Sequence, residues 1–167
     1  MKMTTSKLIR WSGAAAILSG LANIVMSFIS PGQSSALIWG YVVGGMATMF
    51  ALIGIYSIQV EESGVMGFVG FILAMIGNVF LATPSSYEGN FMIGGSIYAL
   101  GLILFAIGVW KAGKFPRWVP ALWILAPLLG VPGFLIDGLS GIFVILAGVA
   151  FSAGFIAAGY MLWTQSE

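Results

Sequence analysis

The stretch that decides the fold is KAGKFPRWVPALW at residues 111–123, because its first seven residues hold three of the six lysines and arginines of the chain. Elsewhere charge is nearly absent: the segments 11–60 and 138–166 contain no charged residue at all. Charge is therefore confined to short segments that separate long apolar ones. This pattern is typical of a chain that crosses a membrane several times.

The composition supports the same conclusion. Hydrophobic residues make up 60% of the 167 residues and charged residues only 7%, whereas soluble domains have about 25% charged residues. The chain has no cysteine and no histidine, which excludes disulfides, thiolate metal sites and imidazole ligation of haem, so we expect no cofactor. A net charge of +1 provides no basic surface for nucleic acid.

The sequence predicts an all-α membrane protein with six transmembrane helices in one domain, 1–167. A helix needs about 20 apolar residues to cross the hydrocarbon core, and the connections are short enough to make neighbouring helices antiparallel. Breaking the chain at charges and at Gly/Pro/Ser clusters gives the predicted spans 11–29, 35–59, 64–81, 91–110, 118–136 and 139–163.

The cations also predict the orientation. Three of them precede the first span and the other three lie between the fourth and fifth spans. With six spans, both groups fall on the same side, which the positive-inside rule assigns to the cytoplasm. We therefore expect both termini to be cytoplasmic, with Trp110 and Trp118 as interfacial anchors on either side of the basic loop.

A short internal similarity suggests three tandem helical hairpins of about 50 residues each. The odd-numbered spans share ILSGLANIV at 17–25, ILAMIGNVF at 72–80 and ILAPLLGVP at 124–132. Chance similarity between apolar segments is an equally good explanation, so both interpretations stay open.

The first span carries a polar stripe, spaced by seven, four, four and three residues, which places its members on one helix face. Two interpretations fit it: hydrogen bonding between helices, or the lining of a polar path or ligand cavity. In the second interpretation Asn78, at the matching position of the third span, contributes as well. The stripe consists of Ser12, Ser19, Asn23, Ser27 and Ser30.

Glycines and prolines point to two further features. Small residues at helical spacing, among them Gly40, Gly44 and Gly94, predict close helix packing, because hydrophobicity cannot drive association between helices in lipid. Pro127 and Pro132 each remove a backbone donor within the fifth span. We therefore expect a bend or an unwound turn between Trp123 and Pro132, and a candidate ligand site there if the bend is not packed with side chains.

Catalysis is not expected. All five acidic residues fall at predicted loops or termini, so none is available inside the membrane for proton transfer, metal binding or activation of a nucleophile. They are Glu61, Glu62, Glu88, Asp137 and Glu167.

The segment GLILFAIGVWKAGKFPRWVPALWIL at 101–125, a glycine-spaced helix followed by a basic loop and another span, resembles small uncharacterised bacterial multi-spanning membrane proteins. The resemblance covers about 25 residues. It implies a prokaryotic inner membrane and carries no substrate, cofactor or functional residue onto this chain.

Two functions remain from the sequence. The first is a structural or accessory subunit without chemistry of its own, whose partners are the lipid bilayer and other membrane proteins or further copies of itself. The alternative is a small transporter or binding protein for a lipid-like or neutral molecule, which would use the stripe of the first span and the prolines of the fifth. Retention of a partner in mild detergent separates them.

Overall fold

The computed structural model describes residues 4–28, 35–83, 88–135 and 140–164, with side chains at all of these except 35–38, 88–91, 132–135 and 140. The described residues form six α-helices and no strand. The helices are α1 (Thr5–Ser27), α2 (Ser35–Ser57), α3 (Gly64–Ala82), α4 (Glu88–Ala112), α5 (Trp118–Leu135) and α6 (Ser140–Thr164).

Local chemistry sets several of the helix ends. The Thr4 hydroxyl accepts a hydrogen bond from the Lys7 backbone N–H at 3.4 Å and caps α1. Gly64, at the start of α3, and Gly113, directly after α4, have φ angles of +62° and +67°. Glycine adopts this left-handed conformation without the steric cost that other residues incur. Both connections can therefore be short.

By length and composition, five of the six helices of the described chain are long and apolar enough to cross a membrane: Thr5–Ser27, Trp39–Ser57, Gly64–Ala82, Met92–Ala112 and Gly141–Thr164. The part of α5 whose side chains are described, Trp118–Val131, is apolar but shorter. The prediction of an all-helical chain with long apolar helices is confirmed, and the molecule has the character of a membrane-spanning protein.

Each helix packs against its neighbours in sequence, and α6 packs against α1, so the six helices form a ring. Within the ring, α2 also contacts α6. The most extensive contact joins α3 and α4, followed by that between α1 and α6. The contact between the first helix, α1, and the last helix, α6, is thus larger than the contact within the predicted hairpin of α1 and α2.

Glycines allow the backbones of α3 and α4 to touch. A Cβ atom at Gly101 would overlap the Ala74 backbone, and one at Gly108 would overlap the backbone of Gly67. On α4, Gly94, Gly101 and Gly108 recur every seven residues, a spacing that keeps one glycine face toward an antiparallel partner. This close contact is what the small-residue spacing predicts in general.

The pair α1 and α6 uses the same device. A Cβ atom at Gly13 would lie 2.7 Å from the Gly159 carbonyl oxygen, and one at Gly159 would lie 2.5 Å from the oxygen of Gly13. Two turns further along α1, a Cβ atom at Gly20 would lie 2.8 Å from the Ser152 carbonyl oxygen. Because no side chain fits between them, these two helices have one defined register.

Helix α5 is α-helical without interruption from Trp118 to Leu135, through both Pro127 and Pro132. The sequence predicts either a bend or an unwound turn between Trp123 and Pro132, and the prediction of an unwound turn is wrong. A helix tolerates proline when its end or its neighbours accommodate the free carbonyl, and a bend of the continuous helix stays a prediction.

The interior is packed with aromatic side chains toward one end of the ring, which we call the basic end because α1 begins there with Lys7 and Arg10 and the loop of Lys114 lies there. At this end Trp123 of α5 is completely buried, between Phe105 of α4 and Phe155 of α6. A series of ring contacts 4.5–6.4 Å apart runs through Tyr98, Phe151, Phe155, Trp123, Phe105, Phe71 and Tyr56.

Candidate functional site

A cavity of about 220 Å³ lies in the other half of the ring, away from the basic end. It is a half-open space that is bordered by the last turns of α1 and α3 and by the second to fourth turns of α2, and it reaches inward to single residues of α4 and α6. Its lining residues are Ala22, Asn23, Met26, Gly40, Tyr41, Gly44, Gly45, Thr48, Asn78, Leu81, Ala82, Tyr98 and Phe151.

Asn78 of α3 is fixed in the wall of this cavity by one hydrogen bond. Its amide nitrogen donates to the Gly45 carbonyl oxygen of α2 at 2.7 Å, and the residue is 5% exposed. Gly45 lacks a side chain, so the amide reaches the backbone of α2 directly. Among the described residues, no hydrogen bond to the side-chain oxygen of Asn78 is present.

Asn23 of α1 is held within its own helix. Its amide nitrogen donates to the Ser19 carbonyl oxygen at 3.1 Å, and the hydroxyl of Ser27 donates to the Asn23 carbonyl oxygen at 2.8 Å. Such bonds to the preceding turn satisfy polar side chains without a second helix. Asn23 is half-buried and lines the cavity.

Thr48 of α2 joins the cavity to a hydrogen-bonded contact below it. Its hydroxyl donates to the Gly44 carbonyl oxygen at 2.8 Å and lies 2.7 Å from the Ser19 hydroxyl of α1. Both residues are buried, so this chain of bonds links α1 to α2 inside the ring of helices. Because the Thr48 hydroxyl donates its hydrogen to Gly44, its oxygen accepts the hydrogen bond from the Ser19 hydroxyl.

Tyr98 of α4 borders the same cavity with its ring, not with its hydroxyl group. It lines the cavity, and its hydroxyl oxygen is buried without a hydrogen-bond partner among the described residues. Leaving a buried polar group unpaired costs about 1–3 kcal/mol, and such groups call for an explanation. The aromatic ring of Tyr98 packs against that of Phe151, with their centroids 6.2 Å apart.

The remaining wall is apolar and uncharged. Met26, Leu81 and Phe151 supply most of its apolar side-chain surface, and none of the lining residues is ionisable at neutral pH. Burying an ion without a partner charge is costly. The arrangement therefore suits a neutral molecule that has an apolar body and a few hydrogen-bonding atoms.

The structure separates the residues that the sequence grouped as a candidate polar path. Asn23 and Asn78 line one cavity, although they lie 55 positions apart in the chain. Ser19 and Ser27 instead pair with Thr48 and the α1 backbone. Pro127 lies outside the cavity lining, and the side chain of Pro132 falls outside the described residues.

The glycines predicted to serve helix packing differ from one another. A Cβ atom at Gly94 would lie 2.5 Å from the Phe80 Cβ atom, and one at Gly40 would lie 2.6 Å from the Met26 sulfur. At Gly44 the nearest atom is the Ala22 Cβ atom at 3.4 Å, an ordinary contact. Gly94 thus lies in close packing, whereas Gly40 and Gly44 also line the cavity.

Sequence reasoning missed Tyr98, Phe151 and Tyr41 as cavity residues. A usable signal existed for Tyr98, since tyrosines in membrane proteins concentrate at the two interfaces and this one lies near the middle of α4. Phe151 gave no such signal, because one phenylalanine in an apolar helix resembles any other.

The basic end has a different chemistry. Lys114 forms a salt bridge of 2.7 Å with Glu62, which joins the α4–α5 loop to the α2–α3 loop. The hydrogen bond from Lys114 lowers the pKa of the Glu62 carboxyl group. Nearby, Gln59 is completely buried, and neither polar atom of its amide has a partner among the described residues.

Comparison with known proteins gives no match: no family model fits the chain, and neither a curated protein nor a solved structure is similar to it. The site is therefore interpreted from its own residues.

Proposed function

We propose that this chain is a non-catalytic, multi-pass membrane protein that binds a small neutral molecule in the cavity between α1, α2 and α3. One observation carries the proposal: two asparagines and a tyrosine line a single cavity whose wall contains no charged residue. They come from three different helices, Asn23 from α1, Asn78 from α3 and Tyr98 from α4. Binding sites in helical membrane proteins are built in this way, from a few polar groups on facing helices.

Binding is favoured over passage because the other half of the ring is closed. Below the cavity the interior is occupied by fully buried side chains, among them Leu52, Phe105 and Trp123. A molecule crossing from one face to the other would have to displace these rings. We therefore favour binding within the cavity over passage of a molecule across the membrane.

We further propose that the chain crosses an inner membrane six times and has both termini in the cytoplasm. Helix α5 has 18 residues, or about 27 Å at 1.5 Å per residue, close to the hydrocarbon thickness of about 30 Å. With α5 as the sixth span, all six cations lie on one side, as the positive-inside rule requires. The cavity then opens toward the outer face.

Cysteine labelling tests both sidedness and binding, since the chain contains no native cysteine. Met26→Cys reports on the cavity wall, Thr83→Cys on the exposed end of α3 at the same face, and Gly113→Cys on the basic end. A membrane-impermeant maleimide added to intact cells is expected to label the first two and not the third. Phenol, used as a neutral probe, is expected to slow labelling of Met26→Cys while leaving Thr83→Cys unchanged.

Two results would contradict the proposal. Labelling of Gly113→Cys from outside, with Met26→Cys protected, would reverse the orientation. Equal effects of phenol on Met26→Cys and Thr83→Cys, at every concentration that leaves the protein folded, would show that the cavity does not bind it.

A second candidate is the accessory subunit, which associates with other membrane proteins or with itself. Its support is that Cβ atoms at Gly95, Gly130 and Gly141 would meet no atom within 4 Å. Glycines on an outer helix surface leave room for a further helix to approach closely. In mild detergent we expect a partner or a second copy to co-purify, and Gly130→Leu to release it; a lone monomer for both proteins would exclude this role.

A further inference from the structure

We propose that the pair of helices α3 and α4 is a movable wall of the cavity, which pivots at the basic end and widens the cavity at the opposite end. This inference rests on the proposed function, because it describes how the same cavity adapts to the size of its occupant. It follows from a comparison of the contacts that the pair makes at its two ends.

Helices α3 and α4 form one rigid body. Their contact is the most extensive in the ring, and it is close along the length of both helices. A Cβ atom at Gly108, near the basic end, would overlap the backbone of Gly67, and one at Gly94, near the other end, would lie 2.5 Å from the Phe80 Cβ atom. Because such close packing leaves no room for adjustment, the two helices should move together.

The boundaries between this pair and its neighbours are the least extensive in the ring. They are the contacts of α2 with α3 and of α4 with α5. The other four helices are joined to one another by larger contacts, those of α1 with α2, α1 with α6 and α5 with α6. The ring therefore divides into two bodies, and rotation of one rigid body against another is a common form of conformational change.

Aromatic rings join the two bodies in the aromatic part of the interior, toward the basic end. Tyr56 of α2 stacks on Phe71 of α3 with a centroid distance of 4.7 Å. On the other side of the pair, Phe105 of α4 stacks on the completely buried Trp123 of α5 at 6.1 Å. Both boundaries are thus packed at this end.

The two connections between the pair and the other helices also lie at the basic end. Gly64 and Gly113, each at a helix end in one of these connections, have φ angles of +62° and +67°. A salt bridge of 2.7 Å between Lys114 and Glu62 joins the two connections to each other. Because hinges consist of a few residues at the ends of elements that absorb changes in backbone angles, these connections can serve as a pivot.

At the cavity, the boundary between α2 and α3 consists of small and polar residues. The hydrogen bond from Asn78 to Gly45 crosses it, and a Cβ atom at Gly45 would lie 2.7 Å from the Ala82 Cβ atom. All three residues line the cavity. Helix α3 has 19 residues, so a tilt of about 10° at the basic end moves its far end by about 5 Å. Such a tilt separates Ala82 from Gly45 and widens the cavity.

Distances between spin labels test the movement with the full chain in lipid nanodiscs and without any ligand. Labels on exposed residues form three pairs: Val43→Cys with Val79→Cys across the boundary at the cavity, Ile53→Cys with Val69→Cys across it near the basic end, and Val79→Cys with Ile93→Cys within the pair of helices. Double electron–electron resonance should give two populations about 5 Å apart for the first pair and one population for the others. A single population for all three would overturn the proposal.

Two neighbouring glycines supply matched variants for the first label pair. Gly45→Ala adds a Cβ atom 2.7 Å from that of Ala82 and should raise the ratio of the longer to the shorter distance at least about fivefold. Gly44→Ala adds one at an ordinary distance of 3.4 Å from Ala22 of α1 and should leave the ratio unchanged. Equal ratios in two variants that circular dichroism shows to be folded would contradict a boundary that opens between α2 and α3.

A disulfide across the boundary tests the effect on the occupant. A cavity of about 150 Å³ accommodates benzene, so about 220 Å³ accommodates phenol, whereas the two rings of 4-phenylphenol need about 300 Å³. Oxidation of Gly45→Cys/Ala82→Cys should therefore weaken binding of 4-phenylphenol at least about tenfold and leave phenol unchanged. Oxidation of Phe80→Cys/Gly94→Cys, which joins α3 to α4 within the pair, should change neither.

The outcomes separate this inference from the proposed function. Equal binding of 4-phenylphenol before and after oxidation across the boundary would show that the movement does not set the size of the occupant, and would overturn the inference alone. Absence of binding of either phenol to the reduced protein would contradict the proposed function, while the spin-label distances still decide whether the pair of helices moves.

Discussion

The two halves of the ring are built from the same six helices and differ in what fills them. In the half near the basic end, which we call the aromatic half, lie all of the largest fully buried side chains that the structure describes, Trp123, Phe105 and Phe155 foremost. In the opposite half, the cavity half, the facing positions are Gly40, Gly44 and Gly45 of α2 with short polar side chains around them.

This difference shows how a membrane protein divides stability and function. Large aromatic rings fill the space between helices and make many dispersion contacts with their neighbours. Such van der Waals packing holds helices together in a membrane. Small residues leave a space between the helices. Hydrogen bonds such as that from Asn78 to Gly45 hold the helices around this space at a fixed distance from each other. The aromatic half should therefore dominate stability, and changes in the cavity half should cost less stability.

The largest expected effect is in the aromatic half. Trp123→Ala removes a completely buried ring that packs on Phe105 and Phe155, and should lower the free energy of unfolding by about 3–5 kcal/mol through the cavity it leaves. Denaturant unfolding in detergent measures this. Leu125→Ala, at a position 43% exposed on the same helix, should change it by less than about 0.5 kcal/mol; equal losses would mean that the ring is not a stabilising core.

A smaller effect is expected at the glycine contact of α3 and α4. Gly101→Ala introduces a Cβ atom that overlaps the Ala74 backbone, which should cost about 1–3 kcal/mol of unfolding free energy. Gly95→Ala, on the same helix but with open space around its Cβ position, should instead stabilise by up to about 1 kcal/mol through helix propensity. Thermal melts of the two variants should thus shift in opposite directions, and a shared direction would contradict this packing.

In the cavity half the expected loss is smaller again. Asn78→Leu removes the hydrogen bond to Gly45, and such bonds between membrane helices contribute about 0.6 kcal/mol and up to about 1.7 kcal/mol. Ser27→Ala removes only a bond to its own helix and should be close to neutral. A loss at Asn78 as large as at Trp123 would show that the two halves do not differ in the way described.

The smallest effect concerns pH at the basic end. Because Lys114 lowers the pKa of the Glu62 carboxyl group in the folded protein, the pair stabilises the fold at neutral pH. That contribution is lost as the pH falls through the lowered pKa. Glu62→Gln should remove this part of the acid dependence and barely change stability at pH 7, since the pair is exposed. Glu61→Gln, at an exposed neighbour, should keep the wild-type pH profile.

Particular residues show how far sequence patterns reach. The bounds of α3, predicted at 64–81 and observed at Gly64–Ala82, follow from the charged loop before it and the polar loop after it. Between Trp123 and Pro132, where the sequence predicts a bend or an unwound turn, the helix is continuous and no turn is unwound. No local pattern reveals whether a helix can accommodate the missing donors. Asn23 and Asn78 were identified as polar residues of matching position, while their meeting at one cavity depends on how α1 and α3 both pack against α2.

The sequence by itself determined the class of the molecule, since hydropathy and charge act on each segment independently of its neighbours: long apolar helices, short connections, and cations gathered at one end. Only the tertiary structure decided which small residues become contacts and which become empty space. Gly101 meets the backbone of Ala74 while Gly95 meets nothing within 4 Å, yet both are glycines of one helix. The outcome depends on the helix that lies opposite, and that partner is set by packing of the whole ring.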